Sequence, residues 1–223
     1  MPKVHGRRTP KAPARGETKV PLRGGARMLR RGKADVLPPS ITPTPKVTLE
    51  ELLHEPVKGP VRILFLDADG TLTDGVIAFD AQGDGRNFWV RDGLALQWAR
   101  DLGVLPVVIS GRASRAVEAR MLELGVEHYV GVKDKVAVAE QVLEREQARW
   151  DQCVMVGDDL PDVPLLKRVG WPIAVADAVS EVRAIARTIT GAPAGAGAVR
   201  EVVEMVLRHN GVWDQILRRY EAL

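Results

Sequence analysis

The hydrophobic positions of this chain fall into short unbroken runs that end in polar residues, separated by stretches with a helical period. "VRILFLDADG" is a continuous apolar run closed by a turn, the pattern of a strand buried on both faces. "VLPVVISGR", "CVMVGDDLPD" and "WPIAVADA" repeat it, and "VEHYVG" reads as a shorter strand. Between them, "GLALQWARDLG", "SRAVEARMLELG" and "DKVAVAEQVLEREQARW" predict amphipathic helices, the first closed by Gly103. "VIAFDAQGDGRNFWV" predicts a β-hairpin at about 76–90, with two short strands flanking Gly83 and Gly85. From Gly197 the pattern is helical to the end, broken near Gly211, and upstream "TLEELLHE" has Thr48 and Glu51 at capping-box spacing for a short helix.

Strands alternating with helices at this spacing predict an α/β fold: a Rossmann-like, mostly parallel sheet with helices on both faces. In open sheets of this kind ligands bind at the carboxyl ends of the strands. The polar clusters fall there. Asp67 and Asp69 follow one strand, Ser110 a second, and Asp158 and Asp159 a third.

Charge divides the 223 residues unevenly. Residues 1–46 hold twelve of the 32 Lys and Arg but only two acids, Glu17 and Asp35, which leaves that segment at about +10 and residues 47–223 at about −7. Eight of the 15 prolines also lie there, and apolar residues are sparse, so residues 1–46 are expected to be a disordered basic tail and 47–223 the folded domain. Such a tail can tether a protein to an anionic surface or nucleic acid, yet it has no Phe, Tyr or Trp to stack on bases, and a plain solvated extension is the simpler reading. Met28 offers a second place at which translation could begin. No apolar run approaches the ~18 residues of a membrane helix, and the single cysteine, Cys153, has no intrachain partner, which suits a cytoplasmic setting. His5, His54, His128 and His209 show no ligand spacing.

Two carboxylates ~4 Å apart repel by ~4 kcal/mol at an effective dielectric near 20. A cluster of Asp67, Asp69, Asp158 and Asp159 therefore needs a cation or retained protons. Oxygen donors without His or Cys point to a hard metal such as Mg²⁺. Ser110, Arg112 and Lys135 sit at or near strand-to-helix junctions and supply donors for an anion.

The ordered set D-x-D-G-T, S-G-R, a lysine and G-D-D-x-x-D resembles the haloacid dehalogenase superfamily of phosphohydrolases over roughly residues 61–210. Within it, "DADGTLTDG", "FWVRDGLAL", "ISGR", "VGDDLPDVPLL", "AVADA" and "GAVREV" most resemble the 3-deoxy-D-manno-octulosonate (KDO) 8-phosphate phosphatases, enzymes of lipopolysaccharide precursor synthesis. The resemblance implies that Asp67 attacks phosphorus and Asp69 is the general acid and base. It implies that Asp67, the Asp69 backbone carbonyl and Asp158 hold Mg²⁺, with Asp159 and Asp162 close by. Ser110, Lys135 and the amides around Gly70 would hold the phosphoryl oxygens, and Arg86, Arg91 and Arg112 would lie within reach of substrate.

The superfamily often adds a cap domain after its first or second motif. The intervals from Thr73 to Gly93 and from Ser110 to Lys135 leave no room for one, so the chain is expected to be capless. A bare site is wet and unselective toward small substrates, so either the substrate is a macromolecule or a neighbouring subunit closes the site. The resemblance implies a homotetramer assembled through the hairpin, and a small phosphorylated sugar acid as substrate. Two departures bear on that substrate. Asp84-Gly85-Arg86 stands where the family usually carries Glu-x-Lys, and Ala194-Gly195-Ala196-Gly197-Ala198 where it usually reads Gly-Gly-x-Gly-Ala. A nine-carbon keto-acid 9-phosphate and a polynucleotide end are the alternative substrates, and a nucleic-acid-tethered module without catalysis is the alternative from another class.

Overall fold

The computed structural model describes residue 57 and residues 59–80 and 83–223. The basic segment 1–46 and the helix expected around Thr48 lie outside the described residues.

Six strands form one sheet: β1 (Ile63–Leu66), β4 (Leu105–Ile109), β5 (Glu127–Tyr129), β6 (Cys153–Gly157), β7 (Trp171–Ala174) and β8 (Thr188–Ile189). Their order is β5-β4-β1-β6-β7-β8, and every neighbouring pair is parallel. β2 (Ala78–Asp80) and β3 (Gly83–Gly85) make a separate antiparallel ribbon. β1 and β6, fully buried along their lengths, are the middle of the sheet, as unbroken apolar runs require.

The connections run outward from β1 through β4 to β5, then cross back to β6 and continue to β8. The chain direction thus reverses between β1 and β6, which makes their carboxyl ends the topological switch point. Helix α1 (Val90–Asp101) packs against α2 (Arg115–Leu124) and, more extensively, α6 (Ala198–His209), while α3 (Lys135–Glu146) packs against α4 (Val163–Leu166). Short α5 (Ser180–Ile185) lies on β7, and α7 (Trp213–Arg219) ends the chain beside α6. Val199, Val202, Val203, Val206 and Leu207 give α6 a buried stripe at helical spacing.

The structure corrects three sequence expectations. The hairpin is smaller than 76–90: Gly83 and Gly85 lie inside its second strand, paired with Asp80 and Ala78. Val90 opens α1 instead of closing the hairpin, because Trp89 is extended and Asp92 places a carboxylate in the first helical turn, where the dipole favours it. Helix α3 stops at Glu146, where Gln147 turns left-handed at φ +50°, and residues 150–152 form a separate 3₁₀ turn. The two-residue β8 carried no readable run.

No helix among the described residues is long and apolar enough to cross a membrane. Cys153 is buried, donates to the Arg149 carbonyl at 3.3 Å, and has its thiol pushed up to about 12 chiefly by burial, so it is a packing residue.

Candidate active site

Asp67 is the first residue past β1, and its N–H donates to the Val156 carbonyl of β6 at 3.0 Å. The chain then makes one wide turn, closed by the Thr73 N–H on the Ala68 carbonyl at 3.1 Å, with Gly70 at φ +83°. A Cβ on Gly70 would collide with the Asp158 carboxylate, so this glycine lets the turn from β1 touch the loop from β6.

A second loop sits on that turn. The Gly195 N–H donates to the Thr71 carbonyl at 3.2 Å, and Gly195, at φ +61°, has no space for a side chain against the Asp74 backbone. Asp177 accepts from the Ala194 N–H at 2.9 Å. The loop leads into α6, whose N-terminus is held by Asp92 of α1, accepting from the Arg200 N–H at 2.7 Å. Asp92 is buried, and loss of hydration lifts its pKa to about 6.

Lys135 is the first residue of α3, oriented by the N-cap Asp134, whose Oδ1 accepts from the Val136 and Ala137 N–H groups at 3.0 and 3.1 Å. Its buried Nζ lies 2.5 Å from Asp67 Oδ1 and 2.6 Å from Asp162 Oδ1. The other Asp162 oxygen accepts from the Asp158 N–H at 3.1 Å, fixing the loop after β6.

Carboxylate oxygens of Asp67, Asp158 and Asp162 all lie within 4.8 Å of one another. Burial first, then repulsion from Asp162, raises Asp67 to about 6 despite its contact with Lys135. Burial, then repulsion from Asp67, Asp162 and Asp159, raises Asp158 to about 8. Burial works against the Lys135 charge, but Asp67 and Asp162 outweigh it and its pKa is raised. One ammonium among three carboxylates leaves the cluster short of positive charge. Asp158 Oδ1 is moreover buried without a hydrogen-bond partner. An all-oxygen donor set with an orphaned carboxylate oxygen fits a hard divalent cation.

The Asp69 carboxylate is turned away from these three. It meets Arg86, with Nε on Oδ1 at 2.6 Å and Nη2 on Oδ2 at 3.3 Å, and Arg112, with Nε 3.5 Å from Oδ2. Ser110 follows β4, its Oγ accepting from the Arg112 N–H at 3.3 Å. Arg91 is exposed in the first turn of α1, with no hydrogen bond or ion pair to the cluster among the described residues. Asp159 also stays outside it: its carboxylate is exposed and accepts from the Leu160 N–H at 2.7 Å, while Asp162 occupies the place beside Lys135.

Known proteins resemble this chain in sequence and framework. A family model described as haloacid dehalogenase-like hydrolase matches residues 131–202. The 3-deoxy-D-manno-octulosonate 8-phosphate phosphatase KdsC of Escherichia coli K12 is 36% identical over 157 residues, covering 70% of this chain and 84% of that protein. The chain belongs to the KdsC family of haloacid dehalogenase-like hydrolases. It is therefore a phosphoric monoester hydrolase. A hypothetical protein from Xanthomonas campestris superposes with a TM-score of 0.70 at 37% identity, over 72% of this chain and 88% of that one. The KDO 8-phosphate phosphatase of Moraxella catarrhalis, solved with a magnesium ion, a phosphate ion and KDO, gives a TM-score of 0.69 at 32% identity, over 72% and 93%.

For a KdsC-family chain, one polar feature here was not singled out from sequence and a second was given only a supporting place. Asp92 had no visible signal, because its partner lies 108 residues away on α6. Asp162 was visible only as the last acid of G-D-D-x-x-D, in a supporting place, and its buried contact with Lys135 is three-dimensional.

Proposed function

We propose that this protein is a Mg²⁺-dependent phosphatase of KDO 8-phosphate that works through an aspartyl-phosphate on Asp67. The observation that carries the reading is the trio of buried Asp67 and Asp162 with half-buried Asp158, with one lysine and one orphaned oxygen, at the switch point of the sheet. Asp67 and Asp158, with the Asp69 backbone carbonyl, would hold the cation, and Asp162 and Asp159 would support them. The cation would offset the repulsion between a carboxylate nucleophile and a phosphate dianion.

The remaining steps belong to the chain. Asp67 Oδ attacks phosphorus, the P–O bond to the sugar breaks, and Asp69 gives its proton to the departing alkoxide. Asp69, now a carboxylate, takes a proton from the water that attacks the aspartyl-phosphate, releasing inorganic phosphate and restoring Asp67. Lys135, Ser110 and the amides around Gly70 bind the phosphoryl oxygens. Arg112, with its side chain half-exposed beside Asp69, and the exposed Arg91 would meet the acidic part of the sugar, whereas Arg86, its side chain buried, is held against Asp69 and Asp84.

Exposed apolar residues favour assembly. Val76, Phe79, Trp89 and Val90 are 62%, 76%, 42% and 77% exposed on and beside the hairpin, so they do not pack on their own sheet. A homo-oligomer, a tetramer by family resemblance, would cover them and close the capless site. A cytoplasmic location follows from the substrate.

The test is phosphate release with Mg²⁺ from KDO 8-phosphate, a nine-carbon keto-acid 9-phosphate, simple sugar phosphates and a 3′-phosphorylated oligonucleotide, with Asp67→Asn as control. Preference for KDO 8-phosphate, lost in the variant, is the expected result. Preference for the nine-carbon ester or the oligonucleotide would overturn the substrate, and undiminished Asp67→Asn activity would overturn the mechanism.

A further inference from the structure

Every nitrogen of Arg86 is engaged within the chain. Nε and Nη2 fork onto the two oxygens of Asp69, while Nη1 donates to the Gly85 carbonyl at 3.0 Å and lies 3.1 Å from Asp84 Oδ2. The Arg86 side chain is 0% exposed, against 22% for Asp69. A buried guanidinium braced from behind by Asp84 and its own strand fixes the plane of the carboxylate in front of it, since a two-pronged contact sets orientation as well as distance. Arg112 does not do this: it touches one oxygen at 3.5 Å from a side chain 55% exposed.

We propose that Arg86 is a positioning residue that holds the Asp69 carboxyl in the orientation from which it protonates the leaving alcohol. This rests on the acid role assigned to Asp69 above. As the P–O bond breaks, the proton on Asp69 passes to the leaving oxygen, and Arg86 stabilises the carboxylate left behind. Oδ1 takes the short bond from Nε, so Oδ2, with only the longer contacts from Arg86 Nη2 at 3.3 Å and Arg112 Nε at 3.5 Å, is the oxygen that delivers the proton. The hairpin thereby contributes to chemistry within one chain, separately from any part in assembly.

Leaving groups separate this role from others. Ethyl phosphate expels a strongly basic alkoxide that needs a proton, whereas 2,4-dinitrophenyl phosphate expels a stable phenolate that does not. kcat/KM, which reports the first phosphoryl transfer, is measured for both esters with the wild type, Arg86→Ala, Arg86→Lys and Asp69→Asn. Arg86→Ala is expected to lose about 100-fold on ethyl phosphate and less than about threefold on the dinitrophenyl ester, within the range for misplacing a general acid. Arg86→Lys, which keeps the charge but gives up the two-pronged contact, should recover only a minor part of the loss. Should Arg86→Ala be insoluble, Arg86→Lys against Arg86→Gln makes the same comparison. An equal loss on both esters, or none, overturns the proposal, as does a loss confined to keto-acid esters, which would make Arg86 a substrate contact. Asp69→Asn must itself be selectively poor on ethyl phosphate. If it is not, the acid role falls and takes this inference with it.

Discussion

Gly70 and Asp158 are pressed together: a methyl group on Gly70 would enter the space of the Asp158 carboxylate, and the backbone there is at φ +83°. The turn from β1 and the loop from β6 therefore close on each other only because residue 70 has no side chain. Gly70→Ala should strain the backbone by about 1 kcal/mol or more and displace Asp158. The expected outcome is a Tm lower by a few degrees, weaker Mg²⁺ binding and kcat/KM reduced on the order of 100-fold. Calorimetric Mg²⁺ titration and phosphate release check it. Wild-type Mg²⁺ affinity would show that Asp158 tolerates displacement.

Among the described residues, Lys135 is the one cation in contact with Asp67 and Asp162. Replacing it by methionine keeps the stem and leaves two buried carboxylates facing each other. The metal-free protein should lose about 3 kcal/mol, the scale of a broken buried pair. Mg²⁺ should restore part of that stability, because the cation relieves the same repulsion. It should not restore turnover, for which the proposed mechanism uses the ammonium on the phosphoryl group. Denaturant unfolding with and without chelator measures the first effect, and phosphate release the second.

The raised carboxyls make stability and Mg²⁺ binding depend on pH in a fixed direction. Asp158, at about 8, and Asp67, at about 6, hold protons in the folded state that they have lost when unfolded, where the ordinary value is 3.8. Their ionisation weighs against the fold, so this contribution falls as pH rises from about 4 to about 8 and is constant outside that window. Mg²⁺ competes with those protons. The rise in Tm on adding Mg²⁺ should therefore grow with pH up to about 8 and then level. Asp158→Asn should remove the part of that growth between pH 6 and 8. A Mg²⁺ effect on Tm independent of pH would contradict the proton inventory of the site.

Five strands of the sheet were legible: β1, β4, β6 and β7 because they are buried on both faces and need unbroken apolar runs, and β5 as the shorter run in "VEHYVG". The hairpin was legible as existing but not in its register, since a ribbon built from Gly83-Asp84-Gly85 has little side-chain pattern to fix pairing. Asp67, Ser110 and Asp158 could be placed because strand order alone carries strand ends to one edge. The direction in which Asp69 and Asp162 turn could not. Asp69 looks toward the hairpin and Asp162 back to Lys135, and both depend on partners set by tertiary packing.

Asp92 joins two helices and, through them, the turn that carries Asp67 and Asp69. Its Oδ1 caps α6, α6 carries the loop that places Gly195 on Thr71, and Thr71 lies in the turn of Asp67 and Asp69. The capping oxygen is what this chain of contacts uses; the second oxygen is buried without a partner. Asp92→Asn keeps the acceptor and removes a charge whose pKa burial has lifted to about 6, so above that pH it should match or exceed the wild type in stability. Asp92→Ala removes the cap and should cost about 1–2 kcal/mol. It should also lower kcat more than it raises KM, because the loop on the turn loosens while the phosphate ligands remain. Thermal unfolding at pH 5 and pH 8 separates cap from charge: the Ala variant is less stable at both, whereas the Asn variant gains relative to the wild type only at pH 8. An Asn variant as unstable as Ala at both pH values would mean that the carboxylate itself, and not its acceptor oxygen, holds α6 in place.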